Sequence, residues 1–277
     1  MKTLEAIKIG RSLLQDYDGS QASIVAEILL EYVTGLPSHK FYSTNIEMGE
    51  SEKTKYFELL DRRLRGEPVQ YIIGETIFMG LKLKVSPGIF IPRPETEKIV
   101  EIALDLISPL EKPVVYDVGT GSGAIAISVA KFKRDINVFA SDISETALET
   151  ASTNIHIYNL KKKITLLKGN LLSPFKGYPA ADLIISNPPY IPSDVIAELP
   201  LDVQREPKTA LNGGEGGTAI INRLLRNGWQ HLEKTGVLLV EIDEANIDSI
   251  MIPDFADYRL EKDYYNKIRF LKCWRKK

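Results

Sequence analysis

The chain has very little sulfur chemistry. Cys273 is its one cysteine, so no disulfide can form within it, and a reducing compartment fits. Histidine is nearly as scarce: His39, His156 and His231 lie far apart and match no metal-ligand spacing, so no metal is expected. No apolar run approaches the ~20 residues that span a bilayer. The first residues alternate charged with apolar side chains and lack the apolar core of a secretory signal. A cytoplasmic protein without a membrane partner is the expectation. A dominant charge is also missing, since 35 Lys and Arg against 37 Asp and Glu leave a net charge of −2. That balance gives no global reason to bind nucleic acid directly. The basic residues near the end (Lys267, Arg269, Lys272, Arg275, Lys276, Lys277) read as a solvated tail. There is no internal repeat or low-complexity tract. Hydrophobic residues at 44% and charged residues at 26% are those of an ordinary globular protein.

What is present falls into three stretches. Residues 1–75 carry helical periodicity. Leu4, Ile7, Leu13 and Leu14 lie on one stripe. Ile24, Val25, Ile28 and Leu29 lie on a second, with Ser20 as its expected cap and Gly35 as its stop. Tyr56, Leu60 and Leu64 lie on a third. Residues 76–93 switch to a period of two around Met79-Gly80, which predicts a β-hairpin, and end in a proline-rich segment that holds Arg93 extended. Residues 94–277 alternate strand and helix signals. Thr96 is the expected cap of the first helix. Strands are predicted at 114–118, 137–142, 164–167, 181–186 and 236–241, with a late antiparallel edge pair at 258–262 and 268–272. The stretch between Asn187 and Gly217 reads as a long loop. This is an α/β pattern, a doubly wound parallel sheet, behind a small helical domain joined by a hairpin linker.

Two motifs sit where such sheets bind ligands, at the carboxyl ends of strands. The first is Asp117-x-Gly119-x-Gly121-x-Gly123, a strand-to-helix turn whose glycines let backbone approach a ligand. Asp142 ends the next strand, roughly 20 residues on, where an acid can accept from ribose hydroxyls. Together they indicate an adenosine cofactor. A dinucleotide remains open, because Gly121-x-Gly123-x-x-Ala126 also fits that looser pattern, while the extra glycine after Asp117 favours a methionine-bearing cofactor. The second motif is Asn187-Pro188-Pro189-Tyr190, directly after the apolar strand 182–186. Its prolines fix φ and remove two donors, leaving a stiff lip with an amide, outward carbonyls and an aromatic ring. Such a lip suits a planar, nitrogen-bearing group; the bland alternative is a strand-ending turn with Tyr190 in the core.

With these motifs in place, the glycine loop and Asp142 resemble the cofactor half of class I S-adenosylmethionine methyltransferases. The Asn-Pro-Pro-Tyr lip resembles that of members acting on planar nitrogens. More specifically, Gly66-Glu67-Pro68-x-Gln70-Tyr71-Ile72, Ile91-Pro92-Arg93-Pro94-Glu95-Thr96-Glu97 and Glu206-Pro207-x-x-Ala210-Leu211 are similar to the peptide chain release factor glutamine methyltransferases, the HemK/PrmC family. The match runs from about Leu64 to Arg226, and the Pro-Arg-Pro-Glu-Thr-Glu segment is its most discriminating piece.

The resemblance implies a seven-stranded, mostly parallel methyltransferase sheet in 94–277, a substrate-docking domain in 1–75, and S-adenosylmethionine as cofactor. Gly119, Thr120, Gly121, Ser122 and Gly123 would line the methionine end of the cofactor, Asp142 would hold the ribose, and Asn170 would lie near the adenine. Asn187, Pro188, Pro189 and Tyr190 would form the catalytic lip around the substrate glutamine, with Phe90 and Arg93 nearby, and Asn187, Phe90 and Arg93 would also touch the cofactor. The chain departs from the family at Asn170, where an acid is frequent, and at Asp243 after Glu241-Ile242, where glycine is common. The implied reaction is methyl transfer to a glutamine amide nitrogen of a release factor, by a monomer. A nucleic-acid amino-group methyltransferase acting on adenine or guanine is the alternative.

Overall fold

The computed structural model describes residues 1–276. They fall into two compact units, one of Met1–Glu75 with Pro200–Arg205, the other of Thr76–Leu199 with Glu206 onward.

The first unit holds helices α1 (Thr3–Asp18), α2 (Ala22–Thr34), α3 (Ser38–Thr44), α4 (Glu50–Leu64) and α5 (Val69–Ile73). Leu14, Leu29, Leu30, Phe41, Tyr56 and Leu60 are its fully buried centre. Ser20 does not cap α2; a 3₁₀ turn over Gly19–Gln21 leads into the helix and puts Gln21 at the cap without a side-chain bond. The β-branched α5 is helical because Tyr71 and Ile72 are buried, and Gly74 at φ 76° closes it. Arg63 is buried against Asp18 at 2.5 Å and Asp202 at 3.0 Å, with its guanidinium 4.6 Å from the centre of the Tyr17 ring.

The second unit opens with hairpin β1 (Glu75–Phe78) and β2 (Leu81–Lys84), turned at Met79 and Gly80 with φ of 50° and 70°. Phe78 and Leu83 enter the same core cluster as Ile99 and Val100 of α6 (Glu97–Ile107), so the segment expected as a linker is built into this unit. Next come β3 (Val114–Val118), α7 (Ala124–Phe132), β4 (Asn137–Asp142), α8 (Glu145–Ile157), β5 (Ile164–Lys168) and β6 (Ala181–Ser186). The expected long loop carries a small parallel pair, β7 (Ile191–Pro192) with β8 (Asn212–Gly214), and the short helices α9 (Leu201–Gln204) and α10 (Lys208–Leu211), of which α9 belongs to the first unit. After α11 (Ala219–Asn227) come β9 (Leu232–Glu241), β10 (Ala256–Lys262) and β11 (Ile268–Arg275).

The seven-stranded sheet has the order β10-β11-β9-β6-β3-β4-β5. The four contacts from β9 through β5 are parallel, and β11 and β10 close the edge antiparallel, as the late pair predicted. Buried Ile184, Ile185, Val138, Ala140 and Leu239 show why these strands read as continuous apolar runs, being covered on both faces. The chain leaves β3 to one side for β4 and returns on the other as β6. That reversal puts a crevice at their carboxyl ends.

Within the helical unit, the Tyr56 hydroxyl lies 3.3 Å from the Ala6 carbonyl and 3.2 Å from the Ala26 carbonyl, and a Cβ on Gly10 would overlap it. Gly10→Ala is expected to cost about 1–3 kcal/mol in urea unfolding. Combining it with Tyr56→Phe should be less costly than the sum of the two, because the second change removes the overlapped oxygen.

Candidate active site

Pairing of Asp117 with Ile185 ends β3 and β6 level, and Ser186 Oγ donates to the Val118 carbonyl at 2.7 Å. The glycine turn and the lip therefore start side by side. In the turn, Gly119, Gly121 and Gly123 have φ of 77°, 56° and 84°, a region that only glycine enters cheaply. A Cβ on Gly119 or Gly121 would meet nothing within 4 Å, so backbone there borders open space. Gly123 differs: its Cβ would sit 3.0 Å from Ile127 and 3.3 Å from Ala151, so it lets α7 pack closely. Asp142 is joined to the turn, its Oδ2 accepting from Gly121 N at 2.9 Å and its Oδ1 from Ser144 N at 2.9 Å.

Thr120 and Ser122 are buried rather than turned to solvent. The Thr120 hydroxyl donates to Asp117 Oδ2 at 2.7 Å, and Ala126 N donates to the same oxygen at 3.1 Å. Burial still pushes Asp117 up to about 6, since two hydrogen bonds do not offset full desolvation. Asp117 Oδ1 and Ser122 Oγ have no protein partner among the described residues. Open space over two glycines, an anchored acid at the next strand end and unpartnered oxygens beneath fit a small ligand carrying hydroxyls and an ammonium. Asn170 lies just after β5 and is exposed; its Oδ1 faces Arg223 Nη2 at 3.5 Å. The next residue, Leu171, has φ 51°, and its carbonyl accepts from Ser141 Oγ at 3.2 Å.

The lip is braced from behind. The Pro189 carbonyl lies 2.8 Å from where a Gly213 Cβ would be, and a Gly217 Cβ would overlap the Tyr190 carbonyl. Asn246 Nδ2 donates to that carbonyl at 2.8 Å. The Pro189 carbonyl, expected to face outward, is thus turned into protein, as is that of Tyr190, and Gly213 and Gly217 serve as the surface they rest on. Tyr190 packs against the core cluster of α11 and β9, and its hydroxyl points to Glu241 Oε1 at 3.4 Å. Burial, with the Glu241 charge second, holds the Tyr190 hydroxyl far above its ordinary range. Arg93 pairs with buried Glu206, whose other oxygen accepts from Ile91 N at 3.0 Å, and its guanidinium lies 5.0 Å from the centre of the Phe90 ring. Phe90 and Arg93 are brought together with each other and with Glu206.

Sequence reasoning missed three residues here. Thr96 caps nothing: it starts α6 without a side-chain cap bond. Its hydroxyl instead accepts from Asn187 Nδ2 at 3.1 Å. Glu241 is 1% exposed, and burial pushes it up to about 7. Glu206 is the third. The available signal was position: Glu241 ends a strand at the ligand edge, and Thr96 and Glu206 lie in the two segments flanking the lip.

The fold and this site define a methyltransferase of the class I type. The ribosomal protein L11 methylase from Lactobacillus delbrueckii subsp. bulgaricus shares the fold at a TM-score of 0.50, with 22% identity over 70% of this chain and 86% of that one. The hMettl16 catalytic domain, in complex with MAT2A 3′UTR hairpin 6, does so at 0.54, with 16% identity over 81% of each chain. Residues 5–74 match the PrmC N-terminal domain and residues 81–199 the methyltransferase small domain. The release factor glutamine methyltransferase of Moorella thermoacetica is 35% identical over 257 residues, covering 91% of this chain and 90% of the relative. That of Clostridium acetobutylicum is 35% identical over 272 residues, covering 95% of both. The chain belongs to the release factor glutamine methyltransferase family.

The two buried acids set a pH dependence of stability. Both have folded values above their ordinary carboxyl range, Asp117 at about 6 and Glu241 at about 7. Their protonated forms therefore favour the fold fully below pH ~4, and that contribution is lost as pH rises through 6 to 7. Urea midpoints should fall over this interval. In Glu241→Gln the fall should be smaller by an amount on the order of 2–3 kcal/mol between pH 4 and 8; an unchanged slope would show that Glu241 does not titrate there.

Proposed function

We propose that this protein transfers a methyl group from S-adenosylmethionine to the side-chain amide nitrogen of a glutamine in a peptide chain release factor, in the cytoplasm. The observation that carries the reading is the adjacency of the glycine turn and the lip, joined through Ser186 Oγ and the Val118 carbonyl at 2.7 Å. The release factor glutamine methyltransferases of Moorella and Clostridium supply the substrate. No helix of the described residues is long and apolar enough to cross a membrane.

Gly119 and Gly121 would receive the methionine part against bare backbone, and Asp142 would accept from the ribose hydroxyls with the lone pairs that Gly121 and Ser144 leave. When bound, the cofactor supplies a sulfonium methyl already activated for transfer. An amide nitrogen is a poor nucleophile, because its lone pair is delocalised into the carbonyl. The protein's part is orientation and exclusion of water. Asn187 Oδ1 and the Pro188 carbonyl would accept the two amide hydrogens, which aims the nitrogen and offsets the positive charge it gains. The proton is lost to solvent afterwards.

Two substitutions separate the roles. Asn187→Ala should lower methyl transfer to a release factor by about 100-fold, the scale of one preorganised polar contact, while cofactor affinity measured by calorimetry stays near normal. Asp142→Ala should weaken cofactor binding by about tenfold or more, since charge-assisted hydrogen bonds are lost. Near-normal transfer by Asn187→Ala would reduce the lip to a turn. Binding of NAD in place of S-adenosylmethionine would return the site to the dinucleotide reading.

A further inference from the structure

Asn154 does little for the helix that carries it. It lies near the end of α8 with none of its surface exposed. Asparagine favours a helix less than alanine does, and its amide is costly to bury unless its polar atoms are bonded. Three hydrogen bonds carry the side chain out of the helix. Lys84 N donates to its Oδ1 at 2.7 Å, and its Nδ2 donates to the Lys84 carbonyl at 3.0 Å and to the Ser122 carbonyl at 2.9 Å.

These bonds join pieces far apart along the chain. Toward Lys84 the amide acts as one more peptide group, pairing with both backbone atoms of the last β2 residue as a neighbouring strand would. Toward Ser122 it reaches the glycine turn. Gly123 makes that reach possible, because it lets the turn lie against Ala151, which shares a face of α8 with Asn154. The Ser122–Gly123 peptide is then held at both ends, its carbonyl by Asn154 and its N–H by the Thr120 carbonyl at 2.8 Å. The partners also fix the direction of the amide. Both hydrogens of Nδ2 go to carbonyls, and a reversed amide would set Oδ1 against two carbonyls and Nδ2 against an N–H.

We infer that Asn154 is a positioning residue of the cofactor site, which makes the glycine turn and the end of β2 a single body. β2 runs on into the segment that carries Phe90 and Arg93, so the hairpin supports the turn instead of merely linking two units. This rests on the proposed function for the identity of the cofactor, but the coupling belongs to the protein alone. A turn whose peptides are already fixed loses less freedom when a ligand settles on it. The effect is reciprocal: a ligand held by the turn must also steady the Lys84 amide.

The test uses the full-length protein with Asn154→Leu, which keeps the volume, and Asn154→Asp, which keeps the shape and the acceptor. Tyr158→Phe is the control, since the Tyr158 hydroxyl donates to the Lys82 carbonyl at 2.9 Å and so holds the hairpin without the turn. Calorimetry should show S-adenosylmethionine affinity reduced about tenfold in both Asn154 variants, the scale of one lost buried hydrogen bond. KM for release factor should stay within about threefold of wild type, as should cofactor affinity in Tyr158→Phe. Wild-type affinity in both Asn154 variants, or an equal loss in Tyr158→Phe, overturns the inference. Hydrogen exchange of the wild-type protein decides the coupling without any substitution. The Lys84 and Gly123 amides should exchange through one opening, with the same urea dependence, and added S-adenosylmethionine should slow both by the same factor. Different urea dependences, or slowing at Gly123 alone, overturn it. If the wild-type protein binds no S-adenosylmethionine, the proposed function fails, and the urea dependence still decides the coupling.

Discussion

Two parallel strands that end at the same height impose the geometry on which the rest depends. Their register aligns Asp117 with Ile185, and the Ser186 hydroxyl ties the two ends together. The turns beyond the two strands have opposite character. After β3 come glycines with positive φ, which turn sharply and expose backbone. After β6 come prolines, whose φ is fixed and which cannot donate. One turn makes room and the other makes a wall. A sheet reversing direction between these strands leaves the crevice in which both act.

The wall is rigid for reasons beyond proline. Gly213 and Gly217 allow the segment around β8 to lie directly beneath the Pro189 and Tyr190 carbonyls, closer than any side chain would permit. Asn246 then fixes the Tyr190 carbonyl. On the other flank, Glu206 holds both Arg93 and the Ile91 amide, so the proline-rich segment that delivers Thr96 is itself pinned. Preorganisation here is a matter of backbone held on several sides, each hold supplied by a different stretch of chain.

Much of this was legible in the sequence. Periodicity placed the strands and the late antiparallel pair because buried parallel strands are apolar throughout and the pair alternates. The glycine turn, Asp142 and the lip stood out because unusual backbone demands unusual residues. The hairpin was read correctly as a hairpin but as a linker, since local alternation does not say that Phe78 and Leu83 share a core with α6. Thr96 read as a cap because threonine before a helix usually is one; only the partner 91 positions away along the chain shows otherwise. Glu241 looked like an ordinary end-of-strand acid, and its burial is a tertiary fact. Residues held by tertiary contacts leave no periodic trace, so Thr96, Glu206 and Glu241 emerged only in three dimensions.

The segment Pro200–Arg205 has a consequence for synthesis. Asp202, which completes the surroundings of buried Arg63, lies 139 positions downstream of it. Until residue 202 has been made, Asp18 is the one anionic partner that the described residues give Arg63. The remaining carboxylate arrives after four strands of the sheet have been made. The helical unit is thus finished late, by a residue translated well after its last helix, and closing that long loop costs chain entropy that local helix formation does not. A chain ending before residue 202 would leave Arg63 with one of its two carboxylate partners.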